Sequence, residues 1–178
     1  MKIRRVVTGH SADGKAKLAS DTEVDALTVS LLPGMEFHRL WGADAAPTFP
    51  DDGSPYPSVT YFPPVGGFRF GLFTLPPDGT AAAAPIDVEV ALKEAEEKLP
   101  GAIAHLEPDQ SGMHTTDTID FEYVVSGESG WNWTMVSKCI FGQATRWCKT
   151  ERGTLGATRV LSRAKWWSAL LEPTVNEA

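Results

Sequence analysis

The composition of this chain changes abruptly after Glu128, and that change limits which part of it can be interpreted as one selected fold. Residues 1–128 hold 9 Lys and Arg against 20 Asp and Glu, whereas residues 129–178 hold 7 against 3. The second part also contains both cysteines and five of the six tryptophans. The change falls inside a strand-and-turn pattern over residues 119–128, where no linker intervenes. We therefore predict one domain over 1–128 and an atypical segment over 129–178.

Length and composition are those of a single globular domain, with 178 residues of which 42% are hydrophobic and 22% charged. The sequence has no run of about eighteen apolar residues, so we expect no membrane span. The basic N-terminus lacks the apolar core of a secretory signal, and the two cysteines show no metal-ligand spacing, so we expect a cytoplasmic protein. A net charge of −7 argues against nucleic-acid binding.

The first part of the chain has the pattern of a mainly β domain. Apolar and β-branched residues predict strands over 2–8, 35–41, 67–75 and 119–126, and the period of two is clearest in 67–75. Residues 42–66 are rich in Pro, Asp and Gly and predict a long irregular excursion, which often lines a binding site. Residues 87–99 carry a helical apolar stripe that Pro100 and Gly101 end. Short strands with one helix indicate an antiparallel barrel or sandwich.

The segment after residue 128 gives weaker signals. Residues 131–141 are compatible with one strand, and residues 162–171 with a short amphipathic helix that carries Trp166 and Trp167. Neither element has good boundary signals.

Residues 112–128 resemble the first motif of the cupin family, whose members are double-stranded β-helix (jelly-roll) barrels. The motif runs from Gly to His-x-His, then to Glu, and six residues later to a second Gly. His114 stands at the first His position, Thr116 at the second, Asp120 at the Glu position and Gly127 at the last Gly, while Gly112 is out of register. The resemblance covers roughly residues 1–128 and implies a cupin jelly-roll barrel with one helix around 87–99.

The resemblance also implies where a metal would bind. Cupin sites usually hold a divalent metal, such as Fe, Mn, Zn or Ni, with several histidines and a carboxylate, so His114 and Asp120 are the candidate ligands. The second cupin motif should supply another histidine, and residues 129–178 contain none. We therefore expect the C-terminal strands to be disrupted and the metal site of this chain to be incomplete.

A shifted reading frame explains the break in composition. When each new codon begins at the third base of a present codon, the genetic code forces residues 131–136 to read Glu-Leu-Asp-(Asp, Asn, His or Tyr)-Gly. Asp or Asn before that Gly makes the hairpin turn expected after a first cupin motif. With favourable synonymous codons, the shifted string continues into a sequence similar to the second motif, with its His and Asn. We hypothesise that 129–178 is out-of-frame translation, and a genuine C-terminal extension is the alternative.

Two functional interpretations remain open for the parent fold, and a non-functional product is the third interpretation for this chain. The first is a barrel that binds a small organic ligand, with Arg69 or His38 as its polar group among aromatic residues. The second is a metal-dependent enzyme (a dioxygenase, decarboxylase or isomerase) that acts on a small organic acid or aromatic compound. Asp117, Asp120 and Glu122 form a carboxylate cluster that fits either a barrel mouth or a solvated strand face. By analogy with the family we also expect a homodimer.

Overall fold

The computed structural model describes residues 2–77, 85–107, 114–133, 136–141, 146–150, 156–160 and 164–171, and from residue 129 onward it describes the strand backbone only. Gly112, the first residue of the motif, lies outside these ranges. Within them, no helix has the length and apolar composition that crossing a bilayer requires.

Ten strands and one α-helix make up the described part of the chain. In chain order the elements are β1 (Ile3–His10), β2 (Ala16–Val24), β3 (Glu36–Ala43), β4 (Phe68–Leu75), α1 (Val88–Lys98), β5 (Ile119–Ser126), β6 (Ser129–Trp133), β7 (Val136–Phe141), β8 (Arg146–Thr150), β9 (Gly156–Val160) and β10 (Ala164–Leu171). The strands form a five-stranded sheet in the order β3-β4-β10-β5-β8, a three-stranded sheet in the order β7-β6-β9, and the β1-β2 hairpin.

The strand pairing is that of a double-stranded β-helix. β6 pairs with β7, β5 pairs with β8, and β4 pairs with β10, so each antiparallel pair encloses the preceding one along the chain. The first of these pairs lies in the three-stranded sheet, and the other two lie in the five-stranded sheet. This is a long hairpin wound between two sheets, as in a jelly roll. The mainly β fold with one helix is therefore confirmed, although the described strands do not close into a barrel.

The helix forms because its ends and its buried side are specified locally. The Asp87 carboxylate accepts hydrogen bonds from the Glu89 and Val90 amides at 3.0 and 3.3 Å, which caps the first turn. Ala91 and Ala95, one helical turn apart, are the buried residues of α1. Ala95 and the following Leu99 turn toward β3, because they form one buried cluster with Val29 and Phe37. The helix thus covers one end of the five-stranded sheet.

The segment from residue 44 to residue 67 contains no strand or helix, as the sequence predicts for 42–66. It is held to the sheet at several points. The Asp44 amide donates to the Pro57 carbonyl at 2.9 Å, and the Tyr61 amide donates to the Pro100 carbonyl at 2.7 Å. These bonds bring residues 58–61 beside β3 and β4, which positions the site described below.

The elements after residue 128 differ from those expected. The helix predicted over 162–171 is wrong, because Ala164–Leu171 is strand β10, which pairs with β4 on one side and with β5 on the other. A short apolar run of this length can form either a helix or a strand. Here it forms a strand, because its backbone pairs with β4 on one side and with β5 on the other. The single strand predicted over 131–141 is a hairpin of β6 and β7. Backbone pairing thus places strands where we expected disruption, and the out-of-frame hypothesis stays a prediction.

Candidate functional site

One face of the five-stranded sheet carries most of the buried charge of the described chain. On β3 and β4, Phe37 stands opposite Phe73, and Arg39 stands opposite Gly71. Cross-strand partners point to the same face, and side chains alternate along a strand, so Arg69 joins this set. Arg69 is 6% exposed. We call this side the charged face.

β5 extends the charged face beyond β10. Asp120, Glu122 and Val124 alternate with the exposed Phe121 and Tyr123, and the three are 5%, 7% and 0% exposed. β10 pairs with β4 on one side and with β5 on the other, so each residue of β10 aligns one residue of β4 with one of β5. The aligned pairs on the charged face are Arg69 with Asp120, Gly71 with Glu122, and Phe73 with Val124. At a strand spacing near 4.8 Å, the arginine-bearing and carboxylate-bearing positions of one row lie about 10 Å apart or more.

The charged face therefore has an apolar end and a charged end. Phe37, Phe73 and Val124 form the apolar row, and α1 packs beside it. A pocket opens along β3 and β4 from this row toward the arginines. Its lining residues are Phe37, His38, Arg39, Trp41, Tyr61, Arg69, Phe70, Gly71, Leu72 and Phe73.

Arg69 fastens the irregular segment to the sheet. Its Nε donates to the Thr60 carbonyl at 2.9 Å, and its Nη1 donates to the carbonyls of Ala43 and Phe68, both at 2.9 Å. Its Nη2 donates to Asp44 Oδ1 at 2.5 Å and to Thr60 Oγ1 at 3.3 Å. All five N–H groups thus have partners inside the protein. Its predicted role as a ligand-binding group remains a prediction, and that role would require one of these partners to be displaced.

Arg39 has donors left for another molecule. Only its Nη2 makes hydrogen bonds, to the carbonyls of Ser58 and Thr60 at 2.8 and 3.1 Å and to Ser58 Oγ at 3.4 Å. Its Nε and Nη1 donate to no group in the described part of the chain. Partial burial and, to a smaller extent, the positive charge of Arg69 lower the pKa of Arg39, while Tyr61 acts in the opposite direction. The arginine remains charged near neutral pH.

Tyr61 lies over the charged face beside Arg39. Its ring makes edge-to-face contacts with Phe37 and Phe62, at centroid distances of 6.1 and 4.9 Å. Its hydroxyl makes no hydrogen bond within the described ranges.

Burial raises the pKa of the Tyr61 phenol to about 12. The Arg39 charge lowers this pKa in part, and the carboxylates of Glu122 and Asp120 raise it further. Tyr61 is therefore a hydrogen-bond donor at physiological pH. These interactions also show that Tyr61 lies within electrostatic reach of both the arginine and the carboxylate ends of the charged face.

Asp120 is held by a short chain of hydroxyl groups. The Thr118 hydroxyl donates to Asp120 Oδ1 at 2.6 Å, and the Thr116 and Thr118 hydroxyls are 2.9 Å apart. Thr116 and Thr118 are each 3% exposed. This arrangement fixes the Asp120 carboxylate at the charged face.

His114 lies in a different group of residues. Its backbone forms an isolated antiparallel β-bridge with Leu106, and its ring stacks on the Phe62 ring at a centroid distance of 6.0 Å. Phe62 also contacts the His105 ring, at 4.7 Å, and His105 Nδ1 lies 2.9 Å from the Thr115 carbonyl oxygen. His114 therefore belongs to an aromatic cluster at the end of the 44–67 segment.

The described residues show no group that would hold a metal ion. Thr116, at the second histidine position of the motif, bonds to Thr118 and is a poor ligand for a transition metal. Over the ranges that the structure describes, no three His, Cys, Asp or Glu residues come together as a candidate cluster. His114 and Asp120 as metal ligands, and the metal-dependent enzyme, stay predictions.

His38 is buried, at 1% exposure, but it lies on the other side of the sheet. It stands opposite Leu72, whereas Arg69 shares the side of Gly71. His38 and Arg69 therefore stand on opposite sides of the sheet although both line the pocket, and a role of His38 in ligand binding also stays a prediction. The sequence interpretation missed Arg39, although its alternation with Phe37 along β3 was a usable signal.

No protein-family model and no curated protein matches the sequence. Solved structures with a similar backbone include the cupin domain of Cnp3 from Schizosaccharomyces pombe, with a TM-score of 0.47, 9% identity, and coverage of 95% of this chain and 87% of that chain. An RmlC-like cupin family protein with a double-stranded β-helix fold from Methanocaldococcus jannaschii has a TM-score of 0.36 and 6% identity, covering 60% and 70%. The ectoine synthase from P. lautus has a TM-score of 0.35 and 8% identity, and this chain covers 56% of its length with 61% of its own.

Proposed function

We propose that this chain, which has a cupin-type double-stranded β-helix fold, binds a small organic molecule in the pocket along β3 and β4. The observation that carries the proposal is the arginine Arg39, which lines the pocket with N–H groups that no described residue accepts. An arginine in this position offers a preorganised fork of donors to an incoming polar group.

The apolar row supplies the rest of such a site. The rings of Phe37, Phe73 and Tyr61 line the pocket and offer a flat surface to the carbon skeleton of a ligand. Ligand pockets typically combine an apolar lining with a few polar groups, and this is the composition along β3 and β4. Burying Arg69, Asp120 and Glu122 beside it costs stability, and such costs are often found at functional sites.

Amide chemical-shift mapping tests this proposal. The uniformly ¹⁵N-labelled chain is titrated with benzamide and, separately, with benzoate, which share a shape and differ in charge. We expect at least one probe to shift the amide signals of 37–41, 61 and 69–73 in a saturable way, while the β1–β2 hairpin signals stay in place. Equal shifts over the whole chain, or none with either probe up to the solubility limit, would contradict binding at this pocket.

Metal content is measured on the same preparation. We expect the purified chain to retain less than one tenth of an equivalent of Fe, Mn, Zn or Ni after dialysis. A stoichiometric metal that His114→Ala removes would contradict the metal-free site and favour the metal-dependent enzyme. The homodimer and the cytoplasmic location stay predictions beside this proposal.

A further inference from the structure

We infer that the free edge of strand β1 binds an extended segment of a partner protein, in which an acidic residue has an apolar residue two positions away on each side. The bound segment becomes the third strand of the β1–β2 hairpin. The inference does not rest on the proposed function, although Trp41 and Phe70 line both the pocket described above and the groove involved. An unpaired strand edge, a groove beside it and an arginine without an acidic partner support it.

Strand β1 is paired along one edge only. Its partner is β2, and none of the other described strands pairs with it. Within the described chain, only its last residue, His10, makes a backbone hydrogen bond outside the hairpin, to the Asp51 carbonyl at 2.6 Å. The register shift of the hairpin leaves Ala19 of β2 as the extra residue, so the β1 backbone stays regular. A regular unpaired edge is a template for another strand, and a two-stranded hairpin is stabilised by a third.

A groove of about 440 Å³ runs along this edge. Six consecutive residues of β1, 3–8, line it, whereas β2, which is described in full, contributes none. Because side chains alternate between the two faces of a strand, a wall of consecutive residues is the backbone edge rather than either face. Leu40, Trp41 and Phe70 form the opposite wall. A strand added to β1 therefore lies in this groove, beside apolar side chains.

The burial of β1 determines which side chains of an added strand face the protein. Ile3, Arg5 and Val7 are half-buried, and the residues between them are exposed. In an antiparallel pair, directly opposed residues point to the same face. The added residues opposite these three therefore turn toward the protein, and the two between them turn toward solvent. Beside Ile3 and Val7 the matching side chains are apolar, because both positions lie in the part of the groove with an apolar wall.

Arg5, the central residue of these three, has no acidic partner within the described chain. Its Nη1 donates to the Leu40 carbonyl at 3.0 Å, and its Nη2 donates to Thr22 Oγ1 at 3.4 Å. Its guanidinium carbon lies 5.4 Å from the centroid of the Trp41 ring. All three partners are uncharged. A carboxylate on the added strand, opposite Arg5, would accept a charge-assisted hydrogen bond from this guanidinium.

The charges of the hairpin favour an acidic partner over a second copy of this chain. β1 contains two arginines and no Asp or Glu. Arg4 is already paired with Asp21 of β2, through Nε to Oδ1 at 2.8 Å and Nη2 to Oδ2 at 2.6 Å. A second β1 on the same edge would bring two further arginines and no carboxylate for Arg5. Opposite charges stabilise cross-strand pairs and like charges destabilise them, so an acidic segment fits this edge better.

Two synthetic pentapeptides that differ in one charge test the inference on the unmodified chain. They are acetyl-Val-Thr-Glu-Thr-Val-amide and the same peptide with Gln in place of Glu. We expect the Glu peptide to shift the amide signals of residues 3–9 and 40–41 in a saturable way, and to bind about fivefold tighter than the Gln peptide. The α1 signals should stay in place. Equal affinity of the two peptides, or no shift with either up to the solubility limit, would overturn the inference.

Backbone pairing is tested with two N-methylated forms of the Glu peptide. Successive N–H groups of a strand point to opposite edges, so methyl groups on the Thr nitrogens block one edge, and methyl groups on the Val and Glu nitrogens block the other. We expect at least one of the two forms to lose binding. Both forms binding as tightly as the unmethylated peptide would contradict the addition of a strand to β1.

A matched pair of variants locates the charge. Arg5→Gln should make the Glu and Gln peptides bind equally, whereas Lys17→Gln, which removes an exposed positive charge of β2 outside the groove, should keep the preference. Should Arg5→Gln not fold, the peptides on the unmodified chain still decide. Sedimentation without peptide tests the other occupant. A dimer whose formation shifts the signals of residues 3–9 would place a second copy on this edge and refute the inference.

Discussion

Residues 1–128 and residues 129–178 both contribute strands to one fold, although their compositions differ strongly. Up to Glu128, burial alternates along most of β1 and β5, and the helix has its cap, its buried residues and its stop. After Glu128, five strands occupy jelly-roll positions, yet the sequence there is cationic and rich in tryptophan. Backbone pairing in a sheet therefore restricts the amino-acid sequence less than side-chain packing does, because extended segments of many compositions can complete a sheet.

The sequence between β6 and β7 is an example of this difference between the two parts. Trp133 pairs with Val136, and the sequence between them is Thr134-Met135. Two-residue hairpins favour Asn-Gly or Asp-Gly, which adopt positive φ at low cost, and Thr-Met is a poor choice. The shifted frame forces Gly at the second of these positions and admits Asp or Asn at the first. This agreement supports the out-of-frame hypothesis, which we retain as a proposal.

The largest effect is expected from truncating a core ring in each part. Phe37→Ala should lower the free energy of unfolding by about 3–5 kcal/mol, because Phe37 is buried among Val29, Ala95 and Leu99. Trp166→Ala, on β10, should cost less than about 1 kcal/mol if the second part was not selected to pack. Urea unfolding measures both. A cost at Trp166 as large as that at Phe37 would remove the distinction between the two parts.

The next prediction concerns the buried Arg69 in residues 1–128. Arg69→Met removes five hydrogen bonds and leaves Asp44 without its cation, so we expect a loss of about 3–5 kcal/mol in urea unfolding. The control Arg4→Met breaks an exposed ion pair with Asp21 and should change stability little. Equal effects of the two substitutions would mean that Arg69 does not fasten the 44–67 segment.

Much of the first part could be predicted from the sequence, and the reasons are local. Period-two alternation located β4, and the apolar stripe with its Pro-Gly stop located α1. The alternation with Phe37 could have placed Arg39 on the same side of β3, but its partners Ser58 and Thr60 are about twenty positions away and could not be predicted from the sequence. The strand β10 was predicted as a helix, because only its pairing with β4 and β5 favours the extended backbone.

A hairpin substitution tests the second part directly. Thr134→Asp combined with Met135→Gly should raise the free energy of unfolding by about 1 kcal/mol, since Asp-Gly is a favoured dipeptide between two antiparallel strands that are two residues apart in the sequence. Thr134→Ala combined with Met135→Ala forms the matched control, because neither alanine adopts a positive φ at low cost. A double substitution that destabilises the chain relative to its control would count against a tight turn at this point.

The smallest effect concerns acid stability at the helix. Bonds from Lys98 and from Ser30 lower the pKa of Glu94 from 4.5 to about 2. A carboxyl group with a depressed folded pKa stabilises the fold above its unfolded pKa, and this contribution disappears as the pH falls from 4.5 to about 2. Glu94→Gln should therefore lower stability at neutral pH and flatten the pH dependence in that window. An unchanged slope in urea titrations between these pH values would contradict the pairing.

Thermal unfolding of this chain beside a frame-restored one tests the central claim, that residues 129–178 were not selected to complete the jelly roll. The frame-restored chain keeps residues 1–128 and continues in the frame that begins one base earlier. We predict a broad, low-temperature transition for this chain and a cooperative one at least about 10 °C higher for the restored chain. A cooperative transition of this chain at a temperature that the restored chain does not exceed would contradict the claim.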